Sequence, residues 1–209
     1  MRSEPFSDDL KLLWATPLLI RRRHDASALN AKLERLILGL RESEPAAPRT
    51  SNYGGWESSG DLFTLESPAL DEIRLFFAQA VADCAAEISG NSVTEVEVSL
   101  FAWANVLENG AYHAFHTHPD NHFSGIYVVR AGSRDDRNPH SGIICFYEPR
   151  VGGAMTRFER LGFGEDFEIA PEEGMLILFP SFLGHSVHPF TGAEERITIA
   201  FNARLEAAK

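Results

Sequence analysis

The chain has 209 residues, 44% of them hydrophobic, enough to bury one sizeable core and close to the size of a single all-β or α+β domain. Its 30 acidic against 19 basic residues give a formal charge of −11, which opposes binding to nucleic-acid backbones or anionic membranes. The short run Arg21, Arg22, Arg23 and His24 does not reverse that balance. No apolar run reaches bilayer-spanning length, and MRSEPFSDDLKLLW lacks the apolar stretch of a secretory signal, so a cytoplasmic protein is expected.

A first helix is predicted over Ser27 to Arg41, with Leu29, Leu33, Leu36, Ile37 and Leu40 on one face. Gly54, Gly55 and Trp56 read as a loop on the substrate side, without the strand and helix that flank a phosphate-binding glycine motif. A second helix starts with Ser67 as N-cap and Pro68 at its first position, carries Leu70, Ile73, Phe77, Val81, Cys84 and Ile88 on one stripe, and stops at Gly90. Cys84 and Cys145 show no ligand spacing and are expected to be reduced core residues.

From Val93 onward the pattern changes to period two or to short β-branched and aromatic runs. Strands are predicted near 94–107, 111–118, 124–130, 142–148, 174–180 and 195–204. Loops separate some of them at Ala131 to Ser141 and Arg150 to Gly174. The second loop carries three aromatic residues and is a candidate lid; its Arg150, Arg157 and Arg160 form a basic patch for an acidic small molecule or peptide. Residues 1–209 read as one α+β, mainly β domain, with helical support at about 25–90 covering one side of a β-sandwich or barrel at about 94–204.

Four of the eight histidines lie in AYHAFHTHPDNHFSG. Strand alternation puts His116 and His118 on one side, close enough to touch one metal ion, and imidazole suits Fe, Zn, Cu or Ni. A third ligand is offered by His185 in FPSFLGHSVHP. A competing set takes His118 and Asp120 with His185, the two-histidine, one-carboxylate arrangement of Fe(II) oxygenases. His113, His122 and His188 are expected in supporting or surface positions. Arg196 opens an apolar strand, where a charge is expensive unless paired, and its guanidinium suits bidentate capture of a carboxylate. Asn105 and Asn202, also in apolar strands, must find partners, either a ligand or the backbone.

His185, Val187, Pro189, Arg196 and Thr198 fall in a pattern that resembles the 2-oxoglutarate and Fe(II)-dependent oxygenases, the prolyl-hydroxylase-like ones in particular. The stretches SNYGGWES, FAWANVLENGAYHAFHTHPDNHFSGIYVV, SGIICFYEPR and FPSFLGHSVHPFTGAEERITIAFN look like a bacterial and phage group within them, over about Trp14 to Asn202. The group's HxHP, SG and aromatic strand are matched by His116, His118, Pro119, Ser124, Gly125 and Tyr127. This resemblance implies a double-stranded β-helix (a jelly roll of cupin-like form) with the N-terminal helices packed on one sheet. It implies Fe(II), 2-oxoglutarate as co-substrate, and O2. It favours His116, His118 and His185 as iron ligands over the set containing Asp120, and gives Arg196 and Thr198 to the co-substrate. Tyr127 is implied as a hydrogen-bond donor to the co-substrate carboxylate, with a core aromatic as the alternative.

The activity so implied is hydroxylation of a small-molecule or peptide substrate with release of succinate and CO2, without nucleic-acid or membrane partners. Two rivals stand beside it: a cupin-like metalloprotein without 2-oxoglutarate dependence, and a non-catalytic metal- or ligand-binding module. Arg196 separates the first rival, and turnover the second. Neither the substrate nor the oligomeric state is legible in the residues.

Overall fold

The computed structural model describes residues 15–47, 51–90, 96–133, 137–155 and 164–207. Helix α1 spans Ala26–Ser43 and buries Leu29, Leu33 and Ile37 at four-residue intervals; its last turn closes with Glu44 N–H donating to the Leu40 carbonyl at 2.8 Å. Helix α2 spans Pro68–Ile88, and Pro68 costs it nothing because the first amide has no intrahelical partner. Ser67 stands at the N-cap, as predicted, although its side chain makes no capping bond. The stripe on α2 buries Leu70, Ile73, Phe77 and Val81, then runs off the sheet, leaving Cys84 half-buried and Ile88 exposed. Gly90 ends the segment with φ +63°, a conformation that costs a β-carbon.

The strands form two antiparallel sheets. The larger takes β1 (Leu19–Arg22), β3 (Trp56–Glu57), β4 (Val96–Leu107), β6 (Phe123–Arg130), β9 (Met175–Pro180) and β11 (Arg196–Ala207) in the order β1-β9-β6-β11-β4-β3. The smaller takes β2 (Asn52–Tyr53), β5 (Tyr112–His116), β7 (Ile144–Phe146), β8 (Phe167–Ile169) and β10 (His185–Val187) in the order β2-β5-β10-β7-β8. The predicted strands are all present within a few residues. Missed were β1, the two-residue strands β2 and β3, the three-residue β10 that carries His185, and β8, which lies inside the stretch expected to be a loop. Part of that stretch, residues 156–163 with Arg157 and Arg160, lies outside the described residues, as do residues 91–95. Arg150 is not a free cation of a basic patch: its Nε donates to the Glu148 carboxylate at 2.7 Å.

Strand alternation sorts the larger sheet into two working faces. One carries Ala102, Ala104, Val106, Tyr127, Leu176, Leu178, Ile197, Ile199 and Phe201 against α1 and α2, where Phe77 stacks on Phe201 at 4.2 Å. Truncating Phe77 to alanine would cost about 3–5 kcal/mol. The other face carries Ile126, Val128, Ile177 and Phe179 into a second core shared with Ile144, Phe146, Ile169 and Val187 of the smaller sheet. Helices therefore cover one sheet only, and the two sheets close on each other. Trp56 belongs to the helix-side core, donating its indole N–H to the Glu44 carbonyl at 3.3 Å, so the expected substrate-side loop is corrected: its neighbour Glu57 is the residue that faces inward.

Candidate metal and carboxylate site

Between the sheets opens a cavity of about 420 Å³ lined by His113, His116, His118, His185, Arg196 and Thr198, among others. β10 brings His185 directly opposite His116 of β5. His118 stands just beyond the end of β5, held by its N–H donating to the Ser181 carbonyl at 2.9 Å. Ring centroids are 4.2 Å apart for His116 and His185, 5.0 Å for His116 and His118, and 5.2 Å for His118 and His185. The ligating nitrogens of all three lie within 4.8 Å of one another.

Two tautomers are fixed by the backbone. His116 Nδ1 lies 2.8 Å from the Ala114 carbonyl and His185 Nδ1 3.0 Å from the Leu183 carbonyl. A carbonyl only accepts, so each Nδ1 carries the proton and each Nε2 keeps a lone pair for a metal. Burial is the main cause holding the rings neutral. It pushes His185 down to about 3, with His116 adding repulsion, and His118 down to about 4, again with His116 contributing; His116 is lowered too.

Arg196 opens β11 with 1% of its surface exposed, and its Nε and one terminal nitrogen have no hydrogen-bond partner among the described residues. Burial lowers it to about 10, so it remains a cation at neutral pH. An unanswered buried guanidinium costs several kcal/mol, and an incoming carboxylate removes that cost. The turn at Gly142 packs beside Arg196 with the backbone at φ +64°; a β-carbon there would meet Arg196 Cδ at an ordinary 3.5 Å and crowd Phe190 at 3.1 Å. Along β11, Arg196, Thr198 and Ala200 line the cavity, while Ile197 and Ile199 face the helices. Asn105, across the ladder from Thr198, also lines the cavity and keeps a buried, unpartnered Oδ1.

Three expectations are corrected. Tyr127 does not reach the cavity: alternation on β6 turns Ile126 inward and Tyr127 to the helices, where its hydroxyl donates to Asn30 Oδ1 at 2.7 Å. Asp120 is not grouped with His118 and His185. It occupies an exposed turn at φ +65°, and that left-handed residue after Pro119 ends the alternation which would have returned its side chain to His118. His113, expected in a supporting or surface position, lines the cavity. Three residues of β10, from His185 to Val187, span the same ladder as four of β5, from His116 to His113. The extra residue is a β-bulge, and it brings His113 and His116 to the same side although their spacing is odd. Burial, then the charge of Arg196, push His113 down to about 3.

Of the remaining candidates, Asn202 accepts from the Ser124 hydroxyl at 2.8 Å, and His122 accepts from Leu205 N–H at 2.9 Å at the rim of β11. Glu57 lines the cavity with a carboxyl raised by burial. No periodicity marked it, because its strand is two residues long.

Residues 101–202 match the model of a family described as "Putative 2OG-Fe(II) oxygenase". A search of curated protein sequences gives no match. Among solved structures, a Pseudomonas putida prolyl-4-hydroxylase is similar at TM-score 0.63 and 17% identity, covering 90% of this chain and 91% of that one. A prolyl hydroxylase from Trichoplax adhaerens, in complex with a hypoxia inducible factor oxygen degradation domain peptide fragment, aligns at TM-score 0.58 and 12% identity, over 90% and 83% of the two chains. HygX from Streptomyces hygroscopicus, with nickel, 2-oxoglutarate and hygromycin B bound, aligns at 0.57 and 13%, also over 90% and 83%. These likenesses establish the fold as the double-stranded β-helix.

Proposed function

We propose that this chain, whose residues 101–202 match the model of the family described as "Putative 2OG-Fe(II) oxygenase", is a dioxygenase that hydroxylates a small-molecule or peptide substrate and releases succinate and CO2. The observation that carries this reading is the pairing, in one cavity, of three neutral imidazoles with a buried guanidinium that has unpartnered nitrogens. When bound, Fe(II) supplies the activation of O2 that oxidises 2-oxoglutarate and substrate.

His116, His118 and His185 would hold the metal, the first and last through the Nε2 left free by their carbonyl-bonded Nδ1. Arg196 grips the far carboxylate of 2-oxoglutarate, with the Thr198 hydroxyl and the Asn105 amide as polar neighbours on the same wall. Ile126, Phe179 and Val187 complete that wall and exclude water from the dicarboxylate. The peptide fragment and the hygromycin B bound in the similar structures support either substrate class here. A cytoplasmic location suits the reading, since Cys84 and Cys145 are free thiols; among the described residues no helix is long and apolar enough to cross a membrane. We treat the helical support and the β core as one catalytic domain.

A cupin-like metalloprotein without a dicarboxylate co-substrate would leave the Arg196 charge buried and unanswered, which counts against that reading. The deciding experiment reconstitutes the protein anaerobically with Fe(II), admits O2, and measures succinate formed from 2-oxoglutarate beside His185→Ala and Arg196→Ala. Loss of succinate in both variants supports the proposal. Undiminished turnover in Arg196→Ala sinks it, and 2-oxoglutarate binding without turnover leaves a ligand-binding module.

A further inference from the structure

On the opposite face of the smaller sheet a second group of donor atoms converges. Ile144 and Phe146 of β7 point into the inter-sheet core, so Cys145 between them points outward. Across the ladder it pairs with Ser186 of β10 on one side and with Glu168 of β8 on the other. His188 follows β10, with its N–H donating to the Ile143 carbonyl at 2.9 Å. The Cys145 thiol, a Glu168 carboxylate oxygen and a His188 ring nitrogen all lie within 4.8 Å of one another. His140 stacks on His188 with ring centroids 5.6 Å apart. Glu168 approaches both rings, one carboxylate oxygen 3.8 Å from His140 Nδ1 and the other 3.8 Å from His188 Nε2.

We propose that Cys145, Glu168 and His188, with His140 as a fourth donor, form a second metal site that takes Zn(II) or a divalent ion of similar softness. Thiolate, imidazole and carboxylate together are a borderline-soft set, which suits Zn(II) and tetrahedral Co(II) better than Ca(II) or Mg(II). Tetrahedral bonds of about 2.0–2.3 Å put neighbouring donors about 3.5 Å apart. The Cys145, Glu168 and His188 donor atoms, all within 4.8 Å of one another, stand no more than about 1.3 Å outside that spacing. Access is provided too: Cys145 is buried at the floor, whereas the side chains of His188, Glu168 and His140 are 33%, 44% and 61% exposed.

This site is independent of the one in the cavity. It shares no ligand with His116, His118 and His185, and it contains sulfur, which they do not. An ion there ties β7, β8 and the segment after β10 across the back of the strand that carries His185. Binding to the folded chain alone raises its stability.

Co(II) titration of the full chain tests the assignment, because a thiolate ligand gives a near-ultraviolet thiolate-to-Co(II) charge-transfer band and a three-histidine site gives none. The band is expected in the parent protein and in His185→Ala and Cys84→Ser, and it is expected to vanish in Cys145→Ser. Zn(II) should raise Tm in His185→Ala but not in the double variant His185→Ala/Cys145→Ser. Glu168→Gln and His188→Ala, checked for native circular dichroism, guard against a folding defect at Cys145 and should each weaken Zn(II) affinity at least tenfold. No charge-transfer band in the parent protein, or a band that survives Cys145→Ser, overturns the proposal.

Discussion

Arg130 holds Glu195 at two places: its Nε donates to the Glu195 carbonyl at 2.9 Å, and a terminal nitrogen donates to the Glu195 carboxylate at 2.9 Å. The same guanidinium reaches Glu34 of α1 at 2.6 Å, and Glu195 also accepts from Arg41 of α1. Glu195 immediately precedes Arg196, so this partly buried network fixes where β11 begins and thus where the cavity's cation stands. Arg130→Ala should lower stability by about 1–3 kcal/mol, because it leaves Glu34 without its cation and Glu195 with Arg41 alone. It should also raise KM for 2-oxoglutarate severalfold with little change in kcat. Thermal melts and co-substrate titration check this; an unchanged KM would show that β11 keeps its start without the network.

Arg196→Met separates binding from stability. The substitution removes an unanswered buried charge and keeps an unbranched side chain, so the ligand-free protein should melt at the same temperature or higher. Affinity for 2-oxoglutarate should fall about 100-fold or more, the worth of hydrogen bonds to a charged group. Calorimetry and melting of the two proteins side by side give both numbers. A large fall in Tm would mean that the Arg196 charge stabilises the empty fold.

Tyr127→Phe should leave the KM for 2-oxoglutarate unchanged. It strands the Asn30 Oδ1 that the hydroxyl serves, while Asn30 Nδ2 keeps its 2.8 Å bond to the Val129 carbonyl. Stability should drop by about 1–3 kcal/mol. A co-substrate defect in this variant would place the hydroxyl in contact with the ligand after all.

Acid should destabilise the metal-free protein. His113 and His185 are pushed down to about 3 and His118 to about 4, from an ordinary value of 6.5, by burial first. Between those limits the unfolded chain binds more protons than the folded one, so stability is complete above pH 6.5 and is lost as pH falls toward 3. Melts in chelator from pH 7.5 to about 4.5 should show a falling Tm, and His113→Gln should flatten part of the slope. A Tm independent of pH over that range would show that the rings are solvated.

Much of this was legible beforehand because periodicity is a strong signal over long elements. Leu29, Leu33 and Ile37, or Arg196 amid Ile197 and Ile199, declare their faces by spacing alone. His116 and His118 were paired by strand alternation and His185 and Arg196 stood out beside apolar runs, but it was the family resemblance that preferred this set to the one containing Asp120. What escaped notice depends on pairing, which spacing does not carry. The strands holding Glu57 and Phe167 are two and three residues long, too short for a period to emerge. Tyr127 was misplaced by a motif that ignored its parity with Ile126. His113 was misplaced because a bulge changes parity without leaving a mark in composition.

That bulge makes the number of residues in β5 a chemical variable. Excising one residue between His113 and His116 would restore a regular ladder and turn one of the two rings outward, without altering any side chain's identity. A one-codon deletion could therefore withdraw a nitrogen from the inner wall while every residue implicated in chemistry is still encoded, and a scan by substitution alone would never sample that change.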